Sequence, residues 1–290
     1  MNQLKLWVVI ITLSLTVGSS FIAIKIVLDS ISPLFAFSIR FMITGGVLIL
    51  VSYIFDRKNQ EIKEIRLWRN ALVIGAILIV GRRGHGLIAW GTQYLSSGIA
   101  SLLNSTIPLW VVFFMFLIFH SKITNSARIG LALGFGGMII LVGPSIGGQG
   151  LSLTGVASLL VSSILWALGS IYSGKSFLPQ NFLLTAGMVT LVGGSLLIIP
   201  SILIGEFNLL PSYSDLDLDL LISYIFLIFI GTVIPFAEFY WLLKMSTPPV
   251  ANTFAYIAPI VAVFLGWTIL DESVTYLTIV ATIVILVGVH

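Results

Sequence analysis

Arg40, Arg82, Arg83, His85 and Glu238 each lie inside a long apolar run. On insertion scales a charge at such a depth costs roughly 2.5–3.5 kcal/mol, so each marks a candidate site. A guanidinium grips a carboxylate or phosphate through two parallel hydrogen bonds. Arg83 is the candidate clamp; its neighbour Arg82 points about 100° away on a helix and does a different job. For both, the alternative is an internal ion pair, for instance with Glu238, or a side chain that reaches the outer interface. His85, between Gly84 and Gly86, changes charge near neutral pH and can couple a proton to a conformational change, or it simply donates a hydrogen bond to backbone. Glu238 can carry a proton, bind an amine, or partner Arg40, Arg82 or Arg83. Trp90, Asn104, Tyr240, Trp241 and Tyr256 can wall a binding cavity around these groups, although aromatic residues also gather at membrane interfaces for generic reasons. Small polar residues recur at helical spacing as Thr12, Thr16 and Ser19, and as Ser158, Ser162, Trp166 and Ser170; close helix packing explains such stripes.

The elements that position these residues are membrane spans. Hydrophobic residues make up 58 % of the 290 and charged residues 9 %, against about 25 % charged in an average soluble protein. Mean hydropathy is +1.12. A membrane helix needs about 20 apolar residues, and ten runs qualify: 5–28, 33–55, 68–90, 98–119, 127–143, 152–174, 182–204, 219–243, 249–270 and 274–289. Lipid offers backbone groups no partners, so spans are helices or closed barrels; runs this long without two-residue alternation are helices. The apolar run after Lys5 is too long for a cleaved signal peptide and stays as the first span. With the N-terminus cytoplasmic, Lys5, Arg57, Lys58, Lys63, Arg66, Arg69, Lys122, Arg128, Lys175 and Lys244 all lie inside, while Asp29, Glu206, Asp215, Asp217, Asp219, Asp271 and Glu272 lie outside. That asymmetry fixes the orientation. Lys25 is near enough to a helix end to reach the interface.

Sliding the chain against itself by 151 residues aligns Gly18-Ser19 with Gly169-Ser170, Trp90 with Trp241, Ala100 with Ala251, Pro108 with Pro259, Thr124 with Thr275 and Gly137 with Gly288. Each half then holds five spans, 1–143 and 152–290, and an odd number inverts the second half relative to the first. Inverted repeats support two near-equivalent conformations, each open to one side, with a site near the midplane.

Gly84-His85-Gly86-Leu87-Ile88-Ala89-Trp90 and the run from Ser97 through Pro108 to Trp110 resemble helices three and four of EamA-type carriers, in the drug/metabolite transporter superfamily. Leu131 to Gly137 with Val142-Gly143-Pro144 resembles their fifth helix, and Tyr256 to Trp267 closing on Asp271-Glu272 their ninth. The resemblance implies an all-α membrane fold of ten helices in two inverted five-helix repeats. It also implies a secondary transporter that exports amino acids, other small metabolites or toxic organic compounds, in the bacterial inner (plasma) membrane. Helices one, three, four, six, eight and nine would wall its cavity.

From these readings the substrate-binding residues are expected to be Arg83, His85, Trp90, Asn104, Glu238, Tyr240, Trp241 and Tyr256, with His85 and Glu238 as proton carriers. No catalytic residue, metal or cofactor is expected. Cys 0 excludes thiolate chemistry, and no Gly-x-x-x-x-Gly-Lys-Ser/Thr loop supplies an ATP motor. Expected partners are a small metabolite and the bilayer, not nucleic acid, with the chain acting as a monomer or weak homodimer. Two rivals stay open: a flippase for a phosphate-bearing lipid or lipid-linked precursor, and an intramembrane enzyme built on His85 and Glu238.

Overall fold

A computed structural model describes residues 3–56, 61–80, 85–121, 124–146, 151–206 and 217–287. Among them every regular element is helical. The order is α1 (Gln3–Leu28), α2 (Pro33–Phe55), a 3₁₀ turn (Glu61–Lys63), α3 (Ile65–Gly75), a π turn (Ala76–Val80), α4 (His85–Thr92), α5 (Ser97–Asn104), α6 (Ile107–Phe119) and α7 (Asn125–Ile146). Then follow α8 (Leu153–Lys175), α9 (Phe182–Leu203), α10 (Leu218–Ile228), a second π turn (Phe229–Val233), α11 (Ile234–Met245), α12 (Pro248–Ala251), α13 (Phe254–Ile269) and α14 (Tyr276–Val287).

Seven helical stretches among the described residues are long and apolar enough to cross a membrane: Gln3–Leu28, Pro33–Phe55, Ser97–Phe119, Leu153–Lys175, Phe182–Leu203, Leu218–Met245 and Pro248–Ile269. They coincide with seven of the ten expected spans. The other three carry α3 to α4, α7 and α14; residues 81–84, within the first of these, lie outside the described residues. Their ends follow side-chain chemistry. Asp217 accepts from the Leu220 N–H at 2.7 Å to start α10, and Asn181 accepts from Leu183 at 2.9 Å to start α9; both satisfy donors that a helix start leaves orphaned.

α2 lies along α9, α7 along α14, and α1 against α13. α8 packs on α4, α5 and α6, and α1 also meets α10 and α11. Exchanging each element with its counterpart 151 residues away returns the same scheme: α2–α9 and α7–α14 map onto themselves, and α1–α13 becomes α8 with α5 and α6. His120 and Asp271, also 151 residues apart, end α6 and α13 with left-handed backbone at φ 52° and 51°.

The α2–α9 seam is the tightest in the bundle. A Cβ added at Gly194 would lie 2.7 Å from the Met42 nitrogen and 2.9 Å from the Ser38 carbonyl oxygen, so backbone itself would have to move. Gly46, one turn on and exposed, has open space around it.

Carboxylates tie the two ends of the bundle across the halves. Glu206, after α9, is buried; it accepts the Phe35 N–H at 2.8 Å and the Leu34 N–H at 3.3 Å at the start of α2, and the Ser201 hydroxyl at 2.9 Å. Glu272, after α13, accepts the Ser97 N–H and hydroxyl, both at 2.7 Å, at the start of α5. At the opposite end Glu61, after α2, accepts the Gln180 N–H at 3.0 Å just before α9. Negative charge is favoured at helix N-termini, where unpaired N–H groups and the helix dipole meet. Two lysines add ties of the other sign: Lys25 donates to the Thr92 and Leu95 carbonyls at 3.3 and 3.4 Å, and Lys244 to those of Pro179 and Gln180.

Overpacking costs about 1–3 kcal/mol. Gly194→Ala is therefore expected to lower the melting temperature of detergent-purified protein clearly, and Gly46→Ala to leave it within a degree or two. Equal melting of the two variants would show that the α2–α9 seam is not close-packed.

Candidate functional site

Proline 235 creates the first element of the site. It has no N–H, so it cannot bond the carbonyl four residues earlier, that of Gly231. The chain accommodates this with the π turn, in which Ile234 N–H bonds Phe229 O and the Thr232 hydroxyl donates to Leu227 O at 2.7 Å. Arg40 of α2, about 10 Å down the helix from Pro33 at 1.5 Å per residue, completes it. Its Nη2 donates to the freed Gly231 carbonyl at 2.8 Å and its Nε to the Thr232 hydroxyl. The guanidinium is 3 % exposed and stacks over Phe37 at 4.8 Å and Phe41 at 5.3 Å from the ring centroids. Tyr224 ties α10 to α2 beside it, donating to Ala36 O at 2.6 Å. Nη1 is buried and has no hydrogen-bond partner.

Arg40 lines a central cavity of about 60 Å³. α1 contributes Leu13, Val17, Ser20, Phe21 and Ile24 at helical spacing, and α4 and α5 contribute Ile88 and Asn104. From the second half come Trp166, Gly231, Pro235, Phe236, Phe239 and Phe254. Asn104 is 7 % exposed and lies where α5 breaks before α6. Arg40 is the charged member of this wall among the described residues. A cavity that holds a benzene ring measures ~150 Å³, so this space of about 60 Å³ is smaller than one that seats a ring-sized metabolite.

The aromatic side of the wall is held in place. Trp166 Nε1 donates to Asn252 Oδ1 at 2.8 Å, and Asn252 Nδ2 donates to Pro248 O at 2.8 Å. Asn252 is fully buried in the two-residue break between α12 and α13. The indole then meets Phe239 at 5.0 Å and Phe236 edge-on at 5.8 Å.

Glu238 is one residue from the lining position Phe239, on the seam between α11 and α1. It accepts the Thr12 hydroxyl at 2.6 Å through Oε1, while Oε2 is buried without a partner. It lies about 10 Å along the helix from Thr232, at 1.5 Å per residue. The pairing of Glu238 with Arg40 considered from sequence is not formed: Arg40 turns to the π turn and Glu238 to Thr12.

Of the other expected residues, Asn104 reaches the cavity. Trp90 instead lines a separate, open recess with Asp29, Gln93 and Glu206, its ring 6.2 Å from Tyr94. Tyr240 is buried against Phe239 at 5.6 Å, and Trp241 packs on the hydrophobic core. Neither lines the cavity, nor does Tyr256. Arg82 and Arg83, and the side chain of His85 at the start of α4, lie outside the described residues. Trp166, read from sequence as part of a packing stripe, forms part of the wall, as do Phe21, Phe236, Phe239 and Phe254. Arg40 was visible as a buried charge; its role was hidden because its partners are 191 and 192 residues away.

The model of the EamA-like transporter family matches the chain twice, at residues 5–143 and 153–290. The inner membrane transporter YedA of Escherichia coli K12 is 30 % identical over 261 residues, covering 89 % of this chain and 80 % of its own length. A transporter of Archaeoglobus fulgidus is 28 % identical over 294 residues, covering 99 % and 98 %. An E. coli K12 protein named "Probable amino-acid metabolite efflux pump" is 22 % identical over 280 residues, covering 94 % and 89 %. A solved crystal structure superposes with a TM-score of 0.70 at 18 % identity over 98 % of this chain and 95 % of that one, which shows a shared fold. With apolar helices throughout and the family match spanning both halves, this multi-pass membrane protein belongs to the EamA-like transporter family.

Proposed function

We propose that the chain is a secondary active transporter that exports small metabolites, amino acids and related zwitterions foremost, by alternating access across the bacterial inner membrane. The observation that carries this reading is the cavity itself, walled by helices of both halves where they meet. A site at such an interface is exposed to either side by rocking one half against the other.

Several features support the architecture this requires: ten spans as two inverted repeats, 1–143 and 152–290, with a cytoplasmic N-terminus. The pairing scheme survives exchange of the halves, and the two left-handed helix ends stand one repeat apart. Lys5, Arg66, Arg69, Lys175 and Lys244 mark one end of the bundle, and Asp29, Glu206, Asp271 and Glu272 the other. The inner-membrane location and the amino-acid substrate class agree with the names of YedA and of the efflux pump. The lipid-flippase rival needs a lateral opening into the cavity. The apolar groove between α13 and α14, lined by Phe264, Trp267 and Ile279 among others, shares no residue with the cavity wall, which favours a water-borne solute.

Within this reading Glu238 is the proton carrier. Its unpartnered oxygen sits on the α1–α11 seam, next to the cavity and nearer the end bearing Lys244. His85 is the second candidate.

Proteoliposomes with a trapped pH dye test the transport claim. Amino acids and organic anions are expected to evoke proton flux, and organic cations none. Flux with cations alone, or silence across the panel from well-folded protein, would sink it. Proton coupling is tested separately with the His85→Ala, Glu238→Gln double variant, which is expected to retain substrate counterflow and lose its acceleration by a pH gradient. Unchanged gradient dependence in that variant removes both residues from the coupling path.

A further inference from the structure

The cavity wall carries more chemistry than an unspecified metabolite needs. Arginine presents five N–H donors in a rigid planar fork. In Arg40 one is committed to Thr232 and one to Gly231 O. Both acceptors are neutral. Both hydrogens of Nη1 and the second of Nη2 remain, and Nη1 is buried without a partner on a residue that is itself only 3 % exposed. A buried charge whose donors are unmet is costly unless something completes it. The same residue lines the cavity, and no carboxylate does so among the described residues.

We infer that Arg40 is the anion-binding residue of the cavity, its free Nη1 edge taking the carboxylate of a substrate whose flat apolar body lies against Trp166, Phe236 and Phe239. The fork matches the two oxygens of one carboxylate. Thr232 and Gly231 O hold the guanidinium on its other edge, so its orientation does not depend on the ligand. Elsewhere on the same wall, Asn252 fixes the indole of Trp166. Asn104 adds a neutral amide. An α-amine therefore meets ring faces and an amide, not a fixed negative charge. The group that is read is the carboxylate; apolar carboxylic acids lacking the amine belong to the substrate class beside the amino acids. Glu238 is turned to Thr12 and is not part of this recognition.

The inference rests on the cavity being the substrate site, and its test separates the two claims because it needs no compartment. Full-length protein in nanodiscs is titrated with 3-phenylpropionate, phenylalanine, 3-phenylpropanamide and phenethylamine, followed by calorimetry. The acid and the amino acid are expected to bind within about threefold of each other. The amide and the amine should bind at least about tenfold more weakly, the loss expected for hydrogen bonds to a charged group. In Arg40→Gln the acid's advantage over the amide should fall to near unity while the amide's own affinity stays the same. If Arg40→Gln does not fold, the wild-type acid-to-amide ratio decides by itself, with Arg40→Lys expected to keep part of it. An amide that binds wild type as well as the acid overturns the inference. So does an acid preference that survives Arg40→Gln, or folded wild type that binds none of the four. Acid-selective binding with silent proteoliposomes would instead count against transport and leave the Arg40 site standing.

Discussion

A guanidinium inside a helix bundle has no water to turn to, and Arg40 finds its acceptors at the point where α11 cannot use its own. Pro235 leaves the Gly231 carbonyl without its helical donor, the π turn brings the Thr232 hydroxyl beside it, and the arginine of α2 satisfies both. One missing N–H thus links a helix of the first half to a helix of the second. The cavity forms around that link because irregular backbone inside a membrane protein is tolerated only where protein or a cavity covers it.

The other discontinuities gather at the same level. α5 breaks into α6 beside Asn104, and α12 breaks into α13 at Asn252, the residue that fixes Trp166. Continuous helices carry the frame: α2 and α9 lie too close for a methyl group at Gly194. The result is a rigid spine beside a wall of interrupted helices. The carboxylate ties at Glu206, Glu272 and Glu61 then hold the ends of the bundle across the two halves.

Seven of the spans and the family could be read from the sequence because each rests on local signals: run length and landmark motifs. Arg40, Glu238 and Asn104 also stood out, as polar groups in apolar surroundings. Their partnerships did not. Glu238 and Arg40 are opposite charges, and pairing them is the natural guess from a list of residues; the fold sends one to Thr12 and the other to a carbonyl that only the proline explains. The aromatic wall was hidden for a different reason. With 19 Phe and 7 Trp in the chain, nothing local separates a cavity ring such as Phe236 from a core ring such as Phe37; only the assembled helices do. Trp90, a landmark of the repeat, packs by an outer recess because the repeat aligns helices and not the residues that face the centre.

The separation of Arg40 from its acceptors also bears on how the protein is made. A chain synthesised from its N-terminus produces α2 about 190 residues before Gly231 and Thr232 exist. The same holds for Glu206 and Glu272, which finish the starts of α2 and α5 from the second half. The first half is therefore made before the acceptors of Arg40 and before the carboxylates that bond the starts of α2 and α5. These ties close only once the second half has been made. Completing this bundle therefore takes both halves of the chain.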